Sequence, residues 1–159
     1  MTSLSGKRTL ITGGGTGAGA DLARGFSEAG AEVVITGRRE APLQAVAARL
    51  KNVRAVVGDV TDEASVKAMF AAAGPCDIVI ANAGAADSNV MARTSLAQWN
   101  AMIAVNLTGV FLTLREGLNQ MSGWGRLISV ASTAGLKGYA KVVPYAAAKH
   151  GVIGLTRSL

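Results

Sequence analysis

The sequence predicts an α/β fold, because short apolar, β-branched runs alternate with helical patterns along the whole chain. These apolar runs are nearly continuous, which is typical of parallel strands buried on both faces. Successive parallel strands are joined through helices by right-handed crossovers. We therefore expect a doubly wound, mainly parallel Rossmann-type sheet of five strands, in the order 3-2-1-4-5, with helices on both faces.

The boundaries of the elements follow from the same patterns. The predicted strands are Arg8–Thr12, Glu32–Thr36, Val53–Val57, Asp77–Ala81 and Arg126–Val130. The predicted helices are Gly17–Ala29, Ala41–Leu50, Glu63–Ala73, Leu96–Met121 and one from Tyr145 onward. The helix-start signals are Pro42 in a first turn, Thr61 or Asp62 as an N-cap, and a capping box of Ser95 with Gln98.

Length and composition indicate one globular domain of ordinary size. The chain has 159 residues, of which 50% are hydrophobic and 20 are glycine. No apolar run reaches the length of a membrane span, so we expect no membrane partner. Residues 1–7 lack the charged-then-apolar pattern of a signal peptide, which favours a cytoplasmic location.

Charge, cysteine and histidine content argue against several other kinds of site. The net charge is +6, but the basic residues are scattered, so we expect no nucleic-acid partner and keep a basic nucleic-acid binder as a minor alternative. The single cysteine, Cys76, precedes an apolar run and is expected to be a buried structural thiol. His150 is the only histidine, and we predict no metal site.

A glycine-rich loop follows the first predicted strand and precedes a predicted helix. It reads Thr-Gly-Gly-Gly-Thr-Gly-Ala-Gly from Thr12 to Gly19. Glycines permit the tight turn and let backbone N–H groups approach a pyrophosphate at the helix N-terminus. Such a loop is a weak signal alone, and its position between a strand and a helix strengthens it.

Tyr145, Lys149 and Ser132 are spaced as in a proton-transfer site. Tyr145 and Lys149 stand four residues apart in a run of strong helix formers, so both side chains leave one face of one helix. A cation at that distance favours the phenolate form of tyrosine. Ser132 follows the last predicted strand, where α/β sites open. The alternative for the Tyr145–Lys149 pair alone is a solvated helix face.

Together these motifs resemble those of the short-chain dehydrogenase/reductase family, in its non-extended branch. The matching features are the glycine spacing from Thr12 to Gly19, Asp59-Val60, Asn82-Ala83-Gly84, Asn106, and Ser132 thirteen residues before Tyr145. The resemblance covers essentially the whole chain, with the motifs in order and at the family's spacing.

The resemblance implies a catalytic set of Asn106, Ser132, Tyr145 and Lys149. Tyr145 would be the acid/base, and Lys149 would favour its phenolate and hydrogen-bond the nicotinamide ribose. Ser132 would hold the substrate oxygen, and Asn106 would fix its helix and a water that relays protons. Asn106 also lies on an apolar helical stripe, where a polar group needs hydrogen bonds, so the alternative is a satisfied core asparagine.

The resemblance also implies a cofactor site. Its residues would be Gly13, Thr16, Gly17, Ala18, Gly19, Arg38, Arg39, Asp59, Val60, Asn82, Ala83, Gly84, Tyr145 and Lys149. Asp59 with Val60 would contact the adenine ring, and the alternative for Asp59 is a turn or helix-entry residue. The Asn82–Gly84 backbone would line the cofactor groove and bond back toward Thr12, or it could form only a turn.

The end of the second predicted strand favours NADP(H) over NAD(H). An NAD site usually has an acidic residue there, whereas this chain has Gly37 followed by Arg38 and Arg39. The guanidinium fork suits a 2′-phosphate. The alternative is a pair of solvent-exposed loop arginines, and Thr16 stands where NADP-dependent relatives often carry a basic residue.

The resemblance therefore implies an NADP(H)-dependent oxidoreductase that moves a hydride between nicotinamide and a small carbonyl or secondary-alcohol substrate. Residues 99–111 and 132–135 slightly favour a 3-oxoacyl thioester. The family also implies a homodimer or homotetramer. Relatives are longer, and the last helical pattern reaches Leu159 without a cap, so we expect residues 1–159 to form a single NAD(P)-binding domain without the C-terminal substrate-binding part. The alternative is a non-catalytic NADP(H)-binding sensor or scaffold.

Overall fold

The computed structural model describes residues 3–159, which contain a five-stranded sheet. Its strands are β1 (Arg8–Thr12), β2 (Glu32–Gly37), β3 (Val53–Val57), β4 (Ile78–Ala81) and β5 (Arg126–Ser129). They lie in the order β3-β2-β1-β4-β5, and all four neighbouring pairs are parallel. The predicted fold class, strand order and strand positions are confirmed, with each boundary within one residue.

The helices also lie close to their predicted positions. They are α1 (Gly17–Glu28), α2 (Glu40–Ala47), α3 (Glu63–Ala73), α4 (Leu96–Ile103), α5 (Gly109–Gln120) and α6 (Val143–Arg157). The N-cap of α3 is Asp62, whose carboxylate accepts bonds from the backbone N–H groups of Ala64 and Ser65. The predicted capping box of Ser95 and Gln98 begins α4.

The single long helix predicted over Leu96–Met121 is wrong in one respect. A π-helical segment, Ala104–Thr108, separates α4 from α5. Asn106 lies in this segment, and its side-chain amide donates to the carbonyl of Met102 four residues earlier. A side chain that bonds to a helix carbonyl competes with the regular backbone ladder. Wider helical turns of this kind occur frequently at functional sites.

The helices cover the two faces of the sheet. On one face, α1 and α2 enclose a core that includes Ile11, Ile35 and Leu43. On the other face, α3 and α5 enclose a core that includes Phe70 and Leu112. Ile11 and Ile35 come from strands, and Leu43, Phe70 and Leu112 come from the covering helices. Successive residues of a strand point to opposite faces of the sheet, so both faces need an apolar cover.

The expectation that every strand is buried on both faces is wrong for the two edge strands. β1, β2 and β4 are almost entirely buried, but β3 and β5 alternate between half-buried and exposed residues. Val57 of β3 is 51% exposed, and Ile128 of β5 is 39% exposed. An edge strand has a neighbour on one side only, so helices centred over the sheet shield it less completely.

The helical stretch Leu96–Gln120 is long and apolar enough to cross a membrane, by length and composition alone. The prediction that no segment reaches that length is wrong by this criterion. The stretch includes the π-helical segment, and it packs against β4, β5, α3 and α6 inside the fold. Core helices pass the same test, so the criterion gives only weak support for a membrane segment.

A buried threonine joins the ends of β1 and β4. The Oγ1 atom of Thr12 accepts hydrogen bonds from the backbone N–H groups of Asn82 at 3.1 Å and Ala83 at 3.0 Å. The Asn82 side chain donates in return to the Thr12 carbonyl at 2.9 Å. The backbone after β4 therefore bonds back to Thr12, as the sequence analysis expected for this turn.

Replacing Thr12 with valine should destabilise the protein by about 1–3 kcal/mol, because the N–H of Ala83 would lose its acceptor and the N–H of Asn82 would keep only the Ile80 carbonyl. Thr9 supplies the matched control on the same strand, since its Oγ1 atom is buried without a hydrogen-bond partner in residues 3–159. Thr9→Val should be neutral or stabilising. Denaturant unfolding of both variants measures the difference, and equal losses of stability would contradict this account of the junction.

Candidate cofactor cleft and acid/base site

A cleft of about 360 Å³ opens where β1, β2, β3 and β4 end at their carboxyl edges. Eleven predicted cofactor residues line it: Gly13, Thr16, Ala18, Gly19, Arg38, Arg39, Asp59, Val60, Asn82, Ala83 and Gly84. Gly17, Tyr145 and Lys149 do not line it. The cleft therefore brings most of the predicted cofactor residues together at the edge where α/β sheets bind ligands.

Seven further residues, which were not predicted to belong to the cofactor site, also line the cleft. They are Gly15, Gly37, Pro42, Leu43, Gly58, Ala85 and Val105. Most directly follow or precede a predicted site residue, and such neighbours are a usable signal. Pro42 and Leu43 belong to the first turn of α2, and their position depends on how that helix packs over the glycine loop.

The glycine loop has no room for a side chain at two of its positions. A Cβ atom at Gly19 would lie 2.1 Å from the carbonyl oxygen of Gly13 and 2.7 Å from Nδ2 of Asn82. A Cβ atom at Gly13 would lie 2.9 Å from Cα of Ala83, and Gly13 has a positive φ of 69°. The loop and the end of β4 therefore touch backbone to backbone, which only glycine permits.

The N-terminus of α1 faces this loop. The helix begins at Gly17, and its N-cap, Thr16, makes no side-chain capping bond. The first N–H groups of a helix need partners from outside the helix, and an anion can supply them. The geometry fits a phosphate group near Thr16 and Ala18, which both line the cleft.

Arg38 and Arg39 are exposed at the far end of the cleft. Neither makes an ion pair among the residues that the structure describes. Gly37, the last residue of β2, also lines the cleft and contributes no carboxylate. This end of the cleft is therefore cationic, which suits a phosphate better than a sugar hydroxyl alone.

Asp59 has a structural task in addition to its place on the cleft wall. Its carboxylate accepts bonds from the backbone N–H of Thr61 at 2.9 Å and from the Thr61 hydroxyl at 2.8 Å. Its own N–H donates to the hydroxyl of Ser65. The geometry thus supports the turn role that the sequence left open, while Asp59 and Val60 both face the cleft.

Asn106 is fully buried, and both polar atoms of its side-chain amide are hydrogen-bonded to the protein. Its Nδ2 atom donates to the carbonyl of Ala85 at 2.8 Å, and its Oδ1 atom accepts from the N–H of Ala85 at 3.2 Å. A Cβ atom at Gly84 would lie 2.9 Å from that Oδ1 atom. Asn106 therefore holds the loop after β4 against the π-helical segment.

Tyr145 and Lys149 share one face of α6, as their spacing predicts. The Nζ atom of Lys149 lies 5.7 Å from the centroid of the Tyr145 ring and donates to the Val130 carbonyl at 2.7 Å. Lys149 is only 4% exposed, and burial lowers the pKa of its amine. The amine has three protons, so two remain for other acceptors.

Lys149 approaches the cleft at Gly84. A Cβ atom at Gly84 would lie 4.0 Å from Nζ of Lys149, and Gly84 itself lines the cleft. Ser132 lies just after β5 and is half-buried. Its Oγ atom accepts from the N–H of Ala134 at 3.1 Å, which leaves the hydroxyl proton free to donate.

Cys76 has the character predicted for it. Its side chain is 5% exposed, and burial raises the pKa of the thiol to about 11. The Sγ atom contacts the carbonyl of Gly74 at 3.2 Å. A thiol with that pKa stays protonated near neutral pH, so Cys76 serves packing. No group of three or more metal-binding side chains occurs in residues 3–159.

The parallel sheet and the cleft at its carboxyl edge define a doubly wound α/β protein. The family model described as short chain dehydrogenase matches residues 7–159, and the chain therefore belongs to that family. The chain is 34% identical to the 3-oxoacyl-acyl-carrier-protein reductase FabG of Aquifex aeolicus, over 98% of its own length. It is also 34% identical to the D-beta-hydroxybutyrate dehydrogenase of Cupriavidus necator, over 97% of its length.

A solved structure from the same family has a very similar backbone. It is a short chain dehydrogenase/reductase from Burkholderia phymatum in complex with NAD, with a TM-score of 0.94 and 29% identity over 99% of this chain. This chain covers 60% of that structure, 67% of the Aquifex reductase and 64% of the Cupriavidus dehydrogenase. The chain thus spans about two thirds of the length of the relatives it matches.

Gly19→Ala should disrupt the cleft, because the added methyl group would overlap the Gly13 carbonyl; overpacking of this kind costs about 1–3 kcal/mol. Gly25, on the same helix, is the matched control, since a Cβ atom there meets nothing within 4 Å. Gly25→Ala should stabilise the protein by about 0.5–1 kcal/mol. Thermal unfolding of both variants tests this, and a harmless Gly19→Ala would contradict the packing described.

Proposed function

We propose that this protein is an NADP(H)-dependent oxidoreductase that transfers a hydride between nicotinamide and a carbonyl or secondary-alcohol substrate. The observation that carries the proposal is that Lys149, which lies over the Tyr145 ring, approaches a glycine-lined cleft with two exposed arginines at its far end. Membership of the short chain dehydrogenase family supports the reaction type. We further propose that the 159 residues form one nucleotide-binding domain.

The cofactor would lie along the cleft in one orientation. Its pyrophosphate would meet the N-terminus of α1 near Thr16 and Ala18, and its adenosine end would lie toward Arg38 and Arg39. Asp59 and Val60 would flank the adenine ring, and Asn82, Ala83 and Gly84 would form the wall beside the nicotinamide half. When bound, the nicotinamide would supply or accept the hydride.

The chain's own residues would handle the proton and the substrate oxygen. Tyr145 would donate its hydroxyl proton to the carbonyl oxygen during reduction, and the reverse reaction would return it. The Ser132 hydroxyl would donate a hydrogen bond to the same oxygen. Lys149 would favour the phenolate through its charge and direct its free N–H bonds to the ribose. Asn106 would keep the loop after β4 in place and help to hold a water that relays protons.

The choice of NADP(H) over NAD(H) rests on the strand-end residues. The family alone does not decide it, because the Burkholderia structure holds NAD. In this chain Gly37 offers no carboxylate for a ribose 2′-hydroxyl, and Arg38 and Arg39 offer two guanidinium groups for a 2′-phosphate.

We propose a 3-oxoacyl thioester as the first substrate to test. The support is the similarity to the Aquifex reductase, which is named for a 3-oxoacyl-acyl-carrier-protein substrate. The hydroxybutyrate dehydrogenase shows that other hydroxy acids are substrates among similar proteins. We place the rest of the substrate pocket in the additional third that the relatives carry.

We also propose a cytoplasmic homodimer or homotetramer. The support for an oligomer is that three large apolar side chains of α4 and α5 are exposed: Leu96 is 73% exposed, Phe111 40% and Leu118 54%. Contact with another copy of the chain would remove such side chains from water.

Tyr145→Phe should lower the rate of NADPH-dependent reduction of a 3-oxoacyl thioester by about a hundredfold or more, because a general acid contributes on that scale. Cofactor affinity should fall by no more than about tenfold, because the variant loses at most one neutral hydrogen bond to the cofactor. Tyr139→Phe is the matched control, since the Tyr139 hydroxyl bonds only to Thr133 in residues 3–159. NADPH consumption measures both variants. A protein that binds NADPH but never turns over would instead support the sensor or scaffold alternative.

Replacing Arg38 and Arg39 together with serine should narrow the preference for NADPH over NADH by roughly tenfold to a hundredfold, because charge-assisted bonds to the 2′-phosphate would be lost. The control replaces Arg49 and Arg157, which are exposed and do not line the cleft. It removes the same net charge and should leave the preference unchanged. Calorimetric titration measures the affinities of each variant for NADPH and for NADH, which are compared with those of the unaltered chain. An unchanged preference in the Arg38 and Arg39 variant would overturn the assignment of these residues to the 2′-phosphate.

A further inference from the structure

The chain that leads from β5 into α6 is anchored at one point on another part of the fold. Residues 137–141 are all exposed. Within the described part of the chain, residues 138–142 make one hydrogen bond to a residue that belongs neither to the β5–α6 connection nor to α6. It runs from the backbone N–H of Asn89 to the carbonyl of Lys141 at 2.8 Å. Asn89 and Val142 also form an isolated parallel β-bridge.

Asn89 is itself held firmly by its side chain. Its Nδ2 atom donates to the carbonyl of Arg93 at 3.0 Å and to Oε1 of Gln98 at 3.3 Å. Its Oδ1 atom accepts from the N–H of Val90 at 2.9 Å. Gln98 belongs to the capping box that begins α4. The side chain therefore fixes the Asn89 backbone to the start of α4.

The contact of Asn89 with Lys141 and Val142 lies directly before the first turn of α6. Lys141 has a positive φ of 66°, a conformation that residues other than glycine keep only when their surroundings impose it. The next residue, Val142, accepts the first helical hydrogen bond of α6 from Ala146 at 2.8 Å. Tyr145 lies within this turn, three residues after the bridge.

We propose that Asn89 is a positioning residue for Tyr145. By holding Lys141 and Val142 against the start of α4, it fixes where α6 begins and therefore where the Tyr145 hydroxyl lies relative to Lys149 and Ser132. The consequence for catalysis rests on the proposed acid/base role of Tyr145. The placement of the Tyr145 side chain does not depend on that role, and it can be measured without turnover.

The first test is hydrogen exchange of backbone amides in Asn89→Ala. Exchange in residues 141–148 should rise by about tenfold, the change expected when a net hydrogen bond or two is lost. Exchange in β1, β2 and β4 should stay unchanged. Asn89→Asp keeps the size and the acceptor for Val90 but loses both donors, and it should behave as the alanine variant does. Asn119, which is exposed and makes no side-chain hydrogen bond in residues 3–159, supplies the control Asn119→Ala.

The second test measures the surroundings of the Tyr145 ring directly. The chain has two tyrosines, so fluorotyrosine labelling gives two fluorine NMR signals, and Tyr139→Phe assigns them. The Tyr145 signal should shift or broaden in Asn89→Ala and stay in place in Asn119→Ala. With a 3-oxoacyl thioester and NADPH, kcat should fall while the KM for NADPH stays unchanged.

The possible outcomes distinguish a failure of the positioning role of Asn89 from a failure of the proposed enzymatic activity. Unchanged exchange in residues 141–148, exchange that rises equally in β1, β2 and β4, or a Tyr145 signal that does not move would overturn the positioning role. A loss of turnover through NADPH affinity alone would overturn it as well. If the Tyr145 signal moves but the unaltered protein never turns over, the proposed function fails and the positioning role holds.

Discussion

The loop that leaves β4 bonds in turn to three parts of the molecule that surround the candidate site. Asn82 and Ala83 donate to the Thr12 hydroxyl at the end of β1. Ala85 then exchanges two bonds with Asn106, and Asn89 reaches the chain that enters α6. Because parallel strands end at a common edge, this one loop connects the glycine loop, the π-helical segment and the Tyr145 helix.

Buried polar side chains next to the loop after β4 hold its backbone at defined points. Thr12 and Asn106 are almost fully buried, and their side chains are hydrogen-bonded to backbone groups. A buried polar group without a partner is costly, so the backbone is held wherever one of these side chains reaches it. Lys149 is buried in the same region, and its lowered pKa reflects the cost of placing a charge there. The proposed nicotinamide ribose would give that amine further acceptors.

Much of this arrangement could be predicted from local patterns. Continuous apolar runs gave strand positions to within a residue, and glycine spacing together with Tyr145 and Lys149 located the site. The features that were predicted wrongly depend on contacts between distant parts of the chain. The π-helical segment contains Asn106, whose side chain bonds to Ala85, 21 positions away, and the exposure of β3 and β5 depends on which strands lie at the sheet edges. The hydrogen bond between Asn89 and Lys141 joins residues 52 positions apart, and no periodicity in the sequence indicates it.

The central claim is that this chain carries a nucleotide cleft that selects a 2′-phosphate. Calorimetric titration of the 159-residue chain with NADPH, and separately with NADH, tests it most directly. We predict saturable NADPH binding that is at least about tenfold tighter than NADH binding, since one charge-assisted bond accounts for that ratio. Equal affinity for the two cofactors would contradict the role given to Arg38 and Arg39. Binding of neither cofactor would contradict the cleft assignment for this chain.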